Sequence, residues 1–215
     1  MYSWAQREDF KVIDEPFYAY YLKTFNITSH PGTEEILASQ PTDLNTVIDS
    51  LKQKERNLFI KNMAHHIGHL TLDFCKNFEN IIFIRNPRQL IASFAQVIDQ
   101  PNMKDIGVKN QYEIYQKLEK AIVLDSGQLL ANPSKVLKEL CQRIGIDFDP
   151  SVLNWEAGAR IEDGVWAPHW YSNVHKTTGF GIQKTSSRSM PEKYENLYHE
   201  ALPYYNELFE HSIKA

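Results

Sequence analysis

The chain has 215 residues, 42% of them hydrophobic and 12% aromatic, enough apolar material for one α/β domain with a substantial core. Its 27 acidic and 23 basic residues leave a net charge of −4 without any basic block, which argues against non-specific nucleic-acid binding but leaves room for a local basic pocket for a small anion. No apolar run is long enough to span a membrane and the first residues do not form a signal peptide. Cys75 and Cys141 sit beside apolar neighbours without metal spacing, so they read as buried free thiols in a reducing compartment, and the cytoplasm is the expected location.

In chain order, residues 1–8 read as the later part of an amphipathic helix with no cap before it, and 10–14 (FKVID) as a strand directly behind. Residues 17–25 are aromatic-rich and helical in pattern, His30-Pro31-Gly32 is a loop, and 33–40 and 42–54 are two short helices, the second capped by Thr42 or Asp43. Residues 57–62 form the next strand, and His65-His66 lead into a helix over 67–78. Ile81, Ile82, Phe83 and Ile84 are an unbroken apolar run, which predicts a strand covered on both faces. Asn86-Pro87 then turns the backbone and allows a helix to start at once, with Leu90, Ile91, Phe94, Val97 and Ile98 at helical spacing.

Residues 100–108 are a loop, 109–120 an amphipathic helix, and 121–125 a buried strand. Asn132-Pro133 opens a helix that runs to Ile144 and stops at Gly145. Residues 151–189 have no sustained period and form an ordered loop region, and 191–213 are a final helix in which Pro203 should produce a kink or a break. Four strands alternating with helices predict a mainly parallel sheet between helical layers, a three-layer α/β/α arrangement.

Four places carry chemistry, three of them at or just past a strand end, where open α/β sheets bind ligands. Glu15 follows the first strand and can serve as general base if burial raises its proton affinity; the alternative is that Asp14 or Glu15 caps the helix after Pro16. Lys61, His65 and His66 follow the second strand, a lysine to neutralise an anionic group and histidines to take a proton near neutral pH. The bland reading of the histidines is one facing solvent and one hydrogen-bonded at a helix start. His65 and His69 also have helical metal spacing, but no Glu follows His65 as the zinc-protease motif requires, so no metal is expected. Arg85 ends the third strand and Ser93 lies two turns into the next helix; a guanidinium and a hydroxyl suit a phosphate, against the alternatives of a structural ion pair and a serine back-bonded to its helix. His175, Lys176, Thr177, Thr178 and Gly179 combine cations, hydroxyls and a glycine, the ingredients of an anion-binding loop or of an ordinary polar turn. Trp155, Trp166, Trp170 and Tyr171 nearby can stack on a planar ligand or anchor loops in the core.

FIRNPRQLIASF (83–94) resembles the 3′-phosphate-binding segment of sulfotransferases, in which an arginine after a strand and a serine eight residues on hold the 3′-phosphate of 3′-phosphoadenosine 5′-phosphosulfate. AIVLDSGQLLANPSKVLKELCQRIGIDFD (121–149) is similar to the sulfotransferase stretch of strand, Leu-Leu and Asn-Pro loop, and helix ending in glycine. MYSWAQREDFKVIDEPFYAYYL and GVWAPHWYSNVHKTTGF look like a bacterial and plant group of sulfotransferase-like proteins, some carrying an aminotransferase-like label; no lysine context here supports pyridoxal chemistry.

The resemblance implies a P-loop NTPase-like α/β domain and sulfuryl transfer from 3′-phosphoadenosine 5′-phosphosulfate to a hydroxyl or amine of a small, partly apolar acceptor. Glu15, His65 or His66 would be the base, Lys61 the charge stabiliser, Arg85 and Ser93 the 3′-phosphate ligands, and 175–179 further cofactor contacts. In the family a strand and a phosphosulfate loop precede the segment matching Met1, and a tyrosine that contacts adenine stands where this chain has Ser126. The expectation is therefore a single domain over 1–215, incomplete at its amino end, with 151–190 covering cofactor and substrate and 191–213 as terminal helix. A non-catalytic nucleotide-binding or scaffold protein, and a P-loop kinase relative, stay open as alternatives.

Overall fold

The computed structural model describes residues 1–52, 56–96, 98–181 and 189–215. After a 3₁₀ turn at Trp4–Gln6 come β1 (Phe10–Asp14), α1 (Tyr18–Thr24), α2 (Thr33–Ser39), α3 (Leu44–Ser50), β2 (Asn57–Lys61) and α4 (Ala64–Ile67). A 3₁₀ turn at Asp73–Asn77 leads to β3 (Ile81–Ile84), α5 (Pro87–Phe94), α6 (Met103–Ile106), α7 (Val108–Lys117), β4 (Ile122–Asp125), α8 (Ser126–Ala131) and α9 (Pro133–Ile144). Beyond further 3₁₀ turns lie α10 (Ala167–Trp170) and α11 (Glu195–Glu210). The chain is thus of the α/β class with parallel strands, and its residues fall into two compact units, Met1–Ile67 with Asp149–Gly179 and Gly68–Phe148 with Phe180–Ala215.

In the first unit β1 and β2 pair in parallel from Phe10 opposite Asn57 to Asp14 opposite Lys61. The register places the last residues of both strands, one acidic and one basic, side by side. Trp4 packs edge-on against Phe10 and stacks on Phe59, at ring distances of 4.9 and 5.4 Å, so the amino-terminal turn is sealed against the sheet. That turn is a single 3₁₀ unit where the sequence predicts a longer helix. Tyr2, Ser3, Trp4 and Arg7 are all buried, a spacing too dense for one face of a surface helix. Tyr18, Ala19, Tyr21, Leu22, Ile36 and Trp166 form an apolar cluster behind the strands.

The second unit pairs β3 with β4 in parallel, Ile81 opposite Ile122 through Ile84 opposite Asp125. All four residues of β4 are buried. In β3, by contrast, Ile82 and Ile84 are buried while Phe83 is 50% exposed, so the expected cover on both faces is absent and the strand alternates with period two. Ile213 donates its amide to the Val123 carbonyl at 3.1 Å, tying the carboxyl end to β4. Within the described residues the strands form two two-stranded sheets, one in each unit.

Side-chain caps open several of the helices. Asn86 caps α5 by accepting from the Arg88 amide and Pro87 is its first residue, as the sequence predicts. Asn132 accepts from the Lys135 amide at the start of α9, and Gly145 ends that helix in a left-handed conformation. Two stretches expected as loops are helical because a side chain caps each: Asp125 accepts from the Gln128 amide to start α8, and Asn102 with Asp105 forms a capping box on α6.

The expected helix over 67–78 is broken into α4 and a 3₁₀ turn, with Leu72 between them at φ 55°. His69 is exposed while Leu70, Leu72 and Cys75 are buried, a burial spacing that one helix face cannot supply. α11 runs without a break through Pro203, contrary to expectation. Pro203 and His199, whose carbonyl loses its partner, are both exposed, so water can take the bond. Val97, residues 53–55 of the predicted 42–54 helix, and 182–188 of the 151–190 region lie outside the described residues.

Leu140 is 1% exposed in the second unit. Leu140→Ala should lower unfolding free energy by about 2–5 kcal/mol, against about 1 kcal/mol for loss of the Asn132 cap in Asn132→Ala. Denaturant unfolding of both variants checks this order; an equal or reversed cost would contradict the packing described.

Candidate functional site

The first unit gathers charge at the carboxyl ends of its two strands. Asp14 is the last residue of β1 and Glu15 follows it; Lys61 is the last residue of β2. The parallel ladder runs one step past the strand, because the Glu15 amide donates to the Lys61 carbonyl at 2.8 Å. Glu15 takes a left-handed backbone, φ 43°, uncommon for a residue with a side chain. Three bonds hold it there: its amide to Lys61, and its carbonyl accepting from the Tyr18 amide at 3.0 Å and the Gln40 side-chain amide at 3.1 Å. The strained turn aims the carboxylate away from the course the strand would have given it. Backbone strain of this kind clusters at functional sites.

Neither Asp14 nor Glu15 caps α1, which has no side-chain cap. Both carboxylates instead meet Lys61. Its ammonium donates to Asp14 Oδ1 at 3.2 Å, to Glu15 Oε1 at a shorter distance and to the Tyr171 hydroxyl at 2.6 Å. The Asp14 and Glu15 side chains are 1% and 6% exposed and that of Lys61 29%. Asp14 Oδ2 accepts from the Tyr171 hydroxyl at 2.7 Å and from the Gly164 amide at 3.3 Å. A Cβ on Gly164 would lie 2.1 Å from the Trp166 ring, so only glycine allows this amide and this indole to coexist. Burial pushes the Glu15 carboxyl above the ordinary value of 4.5, with the neighbouring Lys61 charge acting the other way and Asp14 adding to the rise. Burial and the two carboxylates push the Tyr171 phenol far up, so it stays protonated.

The two adjacent histidines have different surroundings. His66 is 1% exposed; its ring stacks on Tyr18 at 4.4 Å and packs against Tyr21 at 4.8 Å. Its Nδ1 lies 3.7 Å from Glu15 Oε2, beyond hydrogen-bond length but within strong electrostatic influence. His65 is half-buried and meets His66 edge-on at 4.5 Å. Among the described residues no group of three or more His, Cys, Asp or Glu side chains is arranged to hold a metal ion.

Part of the 175–179 segment is engaged within the first unit. His175 Nε2 lies 3.0 Å from Asp163 Oδ2, and the Tyr2 hydroxyl donates to Asp163 Oδ1 at 2.6 Å. The Thr177 hydroxyl donates to the Val174 carbonyl at 2.7 Å and accepts from the Trp155 indole at 3.1 Å. Gly179 bridges Asn154, and a Cβ there would lie 2.9 Å from the Leu153 carbonyl oxygen. The close backbone approach this glycine permits is therefore to the protein itself. The side chains of Lys176 and Thr178 are exposed.

In the second unit Arg85 directly follows β3 and Ser93 lies in the last turn of α5; both are half-buried. The turn between them is fixed from outside: Arg88 makes a two-pronged ion pair with Glu195 at 2.8 and 3.0 Å and sits 4.2 Å over the Tyr198 ring. Asp125, at the end of β4, accepts from the buried Tyr205 hydroxyl at 3.2 Å.

The sequence places Glu15, Lys61, His65 and His66 at two strand ends, and the fold brings Glu15, Lys61 and His66 together, with His65 against His66. It does not reveal Tyr171 or the role of Asp14 as a second charged partner. Tyr171 reaches the cluster across 156 intervening positions, and the only sequence signal was its place in an aromatic-rich segment.

A carboxyl whose proton affinity is raised by folding contributes stability in full below its unfolded value and loses it as pH rises through the folded value. Glu15→Gln removes that loss. Urea titrations between about pH 5 and about pH 8 should show the variant gaining on the parent chain as pH rises; a constant difference would contradict the buried, proton-hungry Glu15.

A family model described as "Sulfotransferase domain" matches residues 1–212. Two curated proteins of Arabidopsis thaliana are similar: "Branched-chain-amino-acid aminotransferase-like protein 2", 32% identical over 96% of this chain, and "Branched-chain-amino-acid aminotransferase-like protein 1", 33% identical over 98%. The chain spans 38% and 39% of their lengths. Among solved structures, a "Sulfotransferase Domain from the Curacin Biosynthetic Pathway" aligns with 88% of this chain and 77% of that one, at 14% identity and a TM-score of 0.44. With a family model matched over nearly its whole length, the chain belongs to the sulfotransferase domain family.

Proposed function

We propose that this protein transfers a sulfuryl group from 3′-phosphoadenosine 5′-phosphosulfate to a hydroxyl or amine of a small, partly apolar acceptor. The observation that carries the reading is Glu15, a buried carboxylate with raised proton affinity paired with Lys61 at adjoining strand ends, in a chain of this family. A base must hold little proton at rest and gain affinity as the acceptor loses its own. Glu15 meets the second condition, because burial raises its proton affinity while the Lys61 charge opposes that rise. His66 is stacked between tyrosines and serves better as a neighbour of Glu15 than as a base; His65 is the second choice.

Two carboxylates and one ammonium leave one net negative charge while both acids are ionised. When Glu15 takes the acceptor's proton, that charge vanishes and Lys61 keeps only Asp14 as counter-ion. The lysine's field then becomes available to negative charge developing on a transferring group. The bond changes balance: acceptor O–H or N–H breaks and Glu15 O–H forms, while the sulfur bonds to the acceptor and leaves 3′-phosphoadenosine 5′-phosphate. That donor supplies the activated sulfuryl group when bound.

In the second unit, Arg85 and Ser93 offer a guanidinium fork and a hydroxyl, a donor set that fits the 3′-phosphate. Lys176 and Thr178 are the members of the 175–179 segment with exposed side chains for a further anion contact. Cys75 and Cys141, both buried and neither in a disulfide, support placement in a reducing compartment such as the cytoplasm. No helix among the described residues is long and apolar enough to cross a membrane.

Calorimetric titration tests the donor assignment. 3′-Phosphoadenosine 5′-phosphate should bind more tightly than adenosine 5′-monophosphate or ATP, which lack the 3′-phosphate. Arg85→Ala should weaken the first by about 10- to 100-fold, the loss of one or two charge-assisted hydrogen bonds, and leave the others little changed. Equal affinity for all three ligands, or preference for ATP, would overturn the assignment and favour a kinase-like reading.

A further inference from the structure

The Tyr171 hydroxyl has a fully occupied bonding set. A phenol oxygen can accept two hydrogen bonds and donate one. Lys61 donates into it at 2.6 Å and the Trp166 indole at 3.2 Å, which fills both acceptor places. Its single proton has two carboxylates within reach, Asp14 Oδ2 at 2.7 Å and Glu15 Oε1 at 3.4 Å. The shorter contact takes the proton. Asp14 thereby holds three donors: the Tyr171 hydroxyl, the Gly164 amide and Lys61. Glu15 meets Lys61 closely, the same hydroxyl at the longer distance and His66 Nδ1 at 3.7 Å.

We propose that Tyr171 is a positioning residue for Glu15: its hydroxyl binds Asp14 and Lys61 at once and so fixes how one lysine charge is divided between two buried carboxylates. By donating to Asp14, the phenol gives that carboxylate a donor besides Lys61, so the ammonium is not drawn wholly to it. Lys61 stays centred between the two, and Glu15 becomes the carboxyl that exchanges its proton. The role rests on the reading of Glu15 as base, and goes beyond it by assigning the choice between two adjacent acids to a residue of the 149–179 segment.

Every charged or titratable group facing the cluster bears on its titration. Among the described residues they are Asp14 at the end of β1, Glu15 after it, Lys61 at the end of β2, His66 on α4, Tyr18 on α1, which feels the Glu15 charge, Tyr2, which feels Asp14, and His175, whose ring meets that of Tyr171. Tyr171 contacts both carboxylates and the lysine through one hydroxyl. Tyr171→Phe keeps the ring, over which the Lys61 ammonium sits at 4.9 Å, and removes only the hydroxyl. Asp14 then has one donor fewer, Lys61 shifts toward it, and Glu15 loses both a share of the ammonium and its weaker contact with the phenol.

The test is carboxyl ¹³C NMR of glutamate-labelled chain, with the Glu15 signal assigned by its loss in Glu15→Gln. The Glu15 midpoint should move to higher pH in Tyr171→Phe and to lower pH in Asp14→Asn, where the whole lysine charge falls to Glu15. A merely structural tyrosine would lower the thermal midpoint and leave the Glu15 midpoint in place, and an unmoved or lowered midpoint in Tyr171→Phe overturns the proposal. Should that variant not fold, tyrosine Cζ labelling of the unaltered protein decides: the Tyr171 signal should step at the Glu15 midpoint, and a flat signal overturns the role. Neither readout needs turnover. Failure of sulfuryl transfer would therefore count against Glu15 as base, and failure of these shifts against Tyr171 alone.

Discussion

One lysine faces two buried carboxylates, and much of the first unit is arranged around that imbalance. A buried pair of like charges is costly unless a counter-charge and hydrogen bonds meet it. Lys61 supplies the charge and Tyr171 and the Gly164 amide supply the bonds. These partners come from different parts of the chain: Asp14 from the end of β1 and Glu15 from the turn after it, Lys61 from β2, Tyr171 and Gly164 from the segment past Asp149. Removing any one leaves a polar group without its partner in a place where water cannot easily substitute, so the cluster links strand pairing to the docking of the later segment.

The register of the strands makes this possible. Asp14 and Lys61 are paired residues of a parallel ladder, and the ladder's last bond places Glu15 one step beyond the strand end. Had Glu15 continued as a strand residue, its side chain would have pointed to the face opposite Asp14. The left-handed turn at φ 43° breaks that alternation and lets both acids reach the same ammonium. Local strain is thus exchanged for a charge arrangement that an unstrained strand end could not present.

All four strands were legible within a residue, because each is a short apolar run bounded by polar or turn residues. Asn86-Pro87, Asn132-Pro133 and Gly145 carried their helix boundaries in local chemistry that no tertiary contact overrides. Other features depend on contacts distant in sequence. Exposure of Phe83 follows from what packs on β3 and not from its neighbours in the chain. The break at Leu72 is set by where Leu70 and Cys75 find a core, and α11 survives Pro203 because the affected carbonyl meets solvent. The candidate site divides the same way. Glu15, Lys61 and the histidines were legible as residues at strand ends, whereas Tyr171 enters only through the fold, and the glycine and threonine of the 175–179 segment proved to have partners inside the protein.

The central claim is that Glu15 takes the proton of the acceptor while the 3′-phosphate is held elsewhere in the chain. Transfer of the sulfuryl group from 3′-phosphoadenosine 5′-phosphosulfate to a panel of small phenols, alcohols and amines, measured for the parent protein and for Glu15→Gln, tests it most directly. The account predicts turnover by the parent and a loss of about 100-fold or more in kcat in the variant, with affinity for 3′-phosphoadenosine 5′-phosphate unchanged. Undiminished transfer by Glu15→Gln would contradict it.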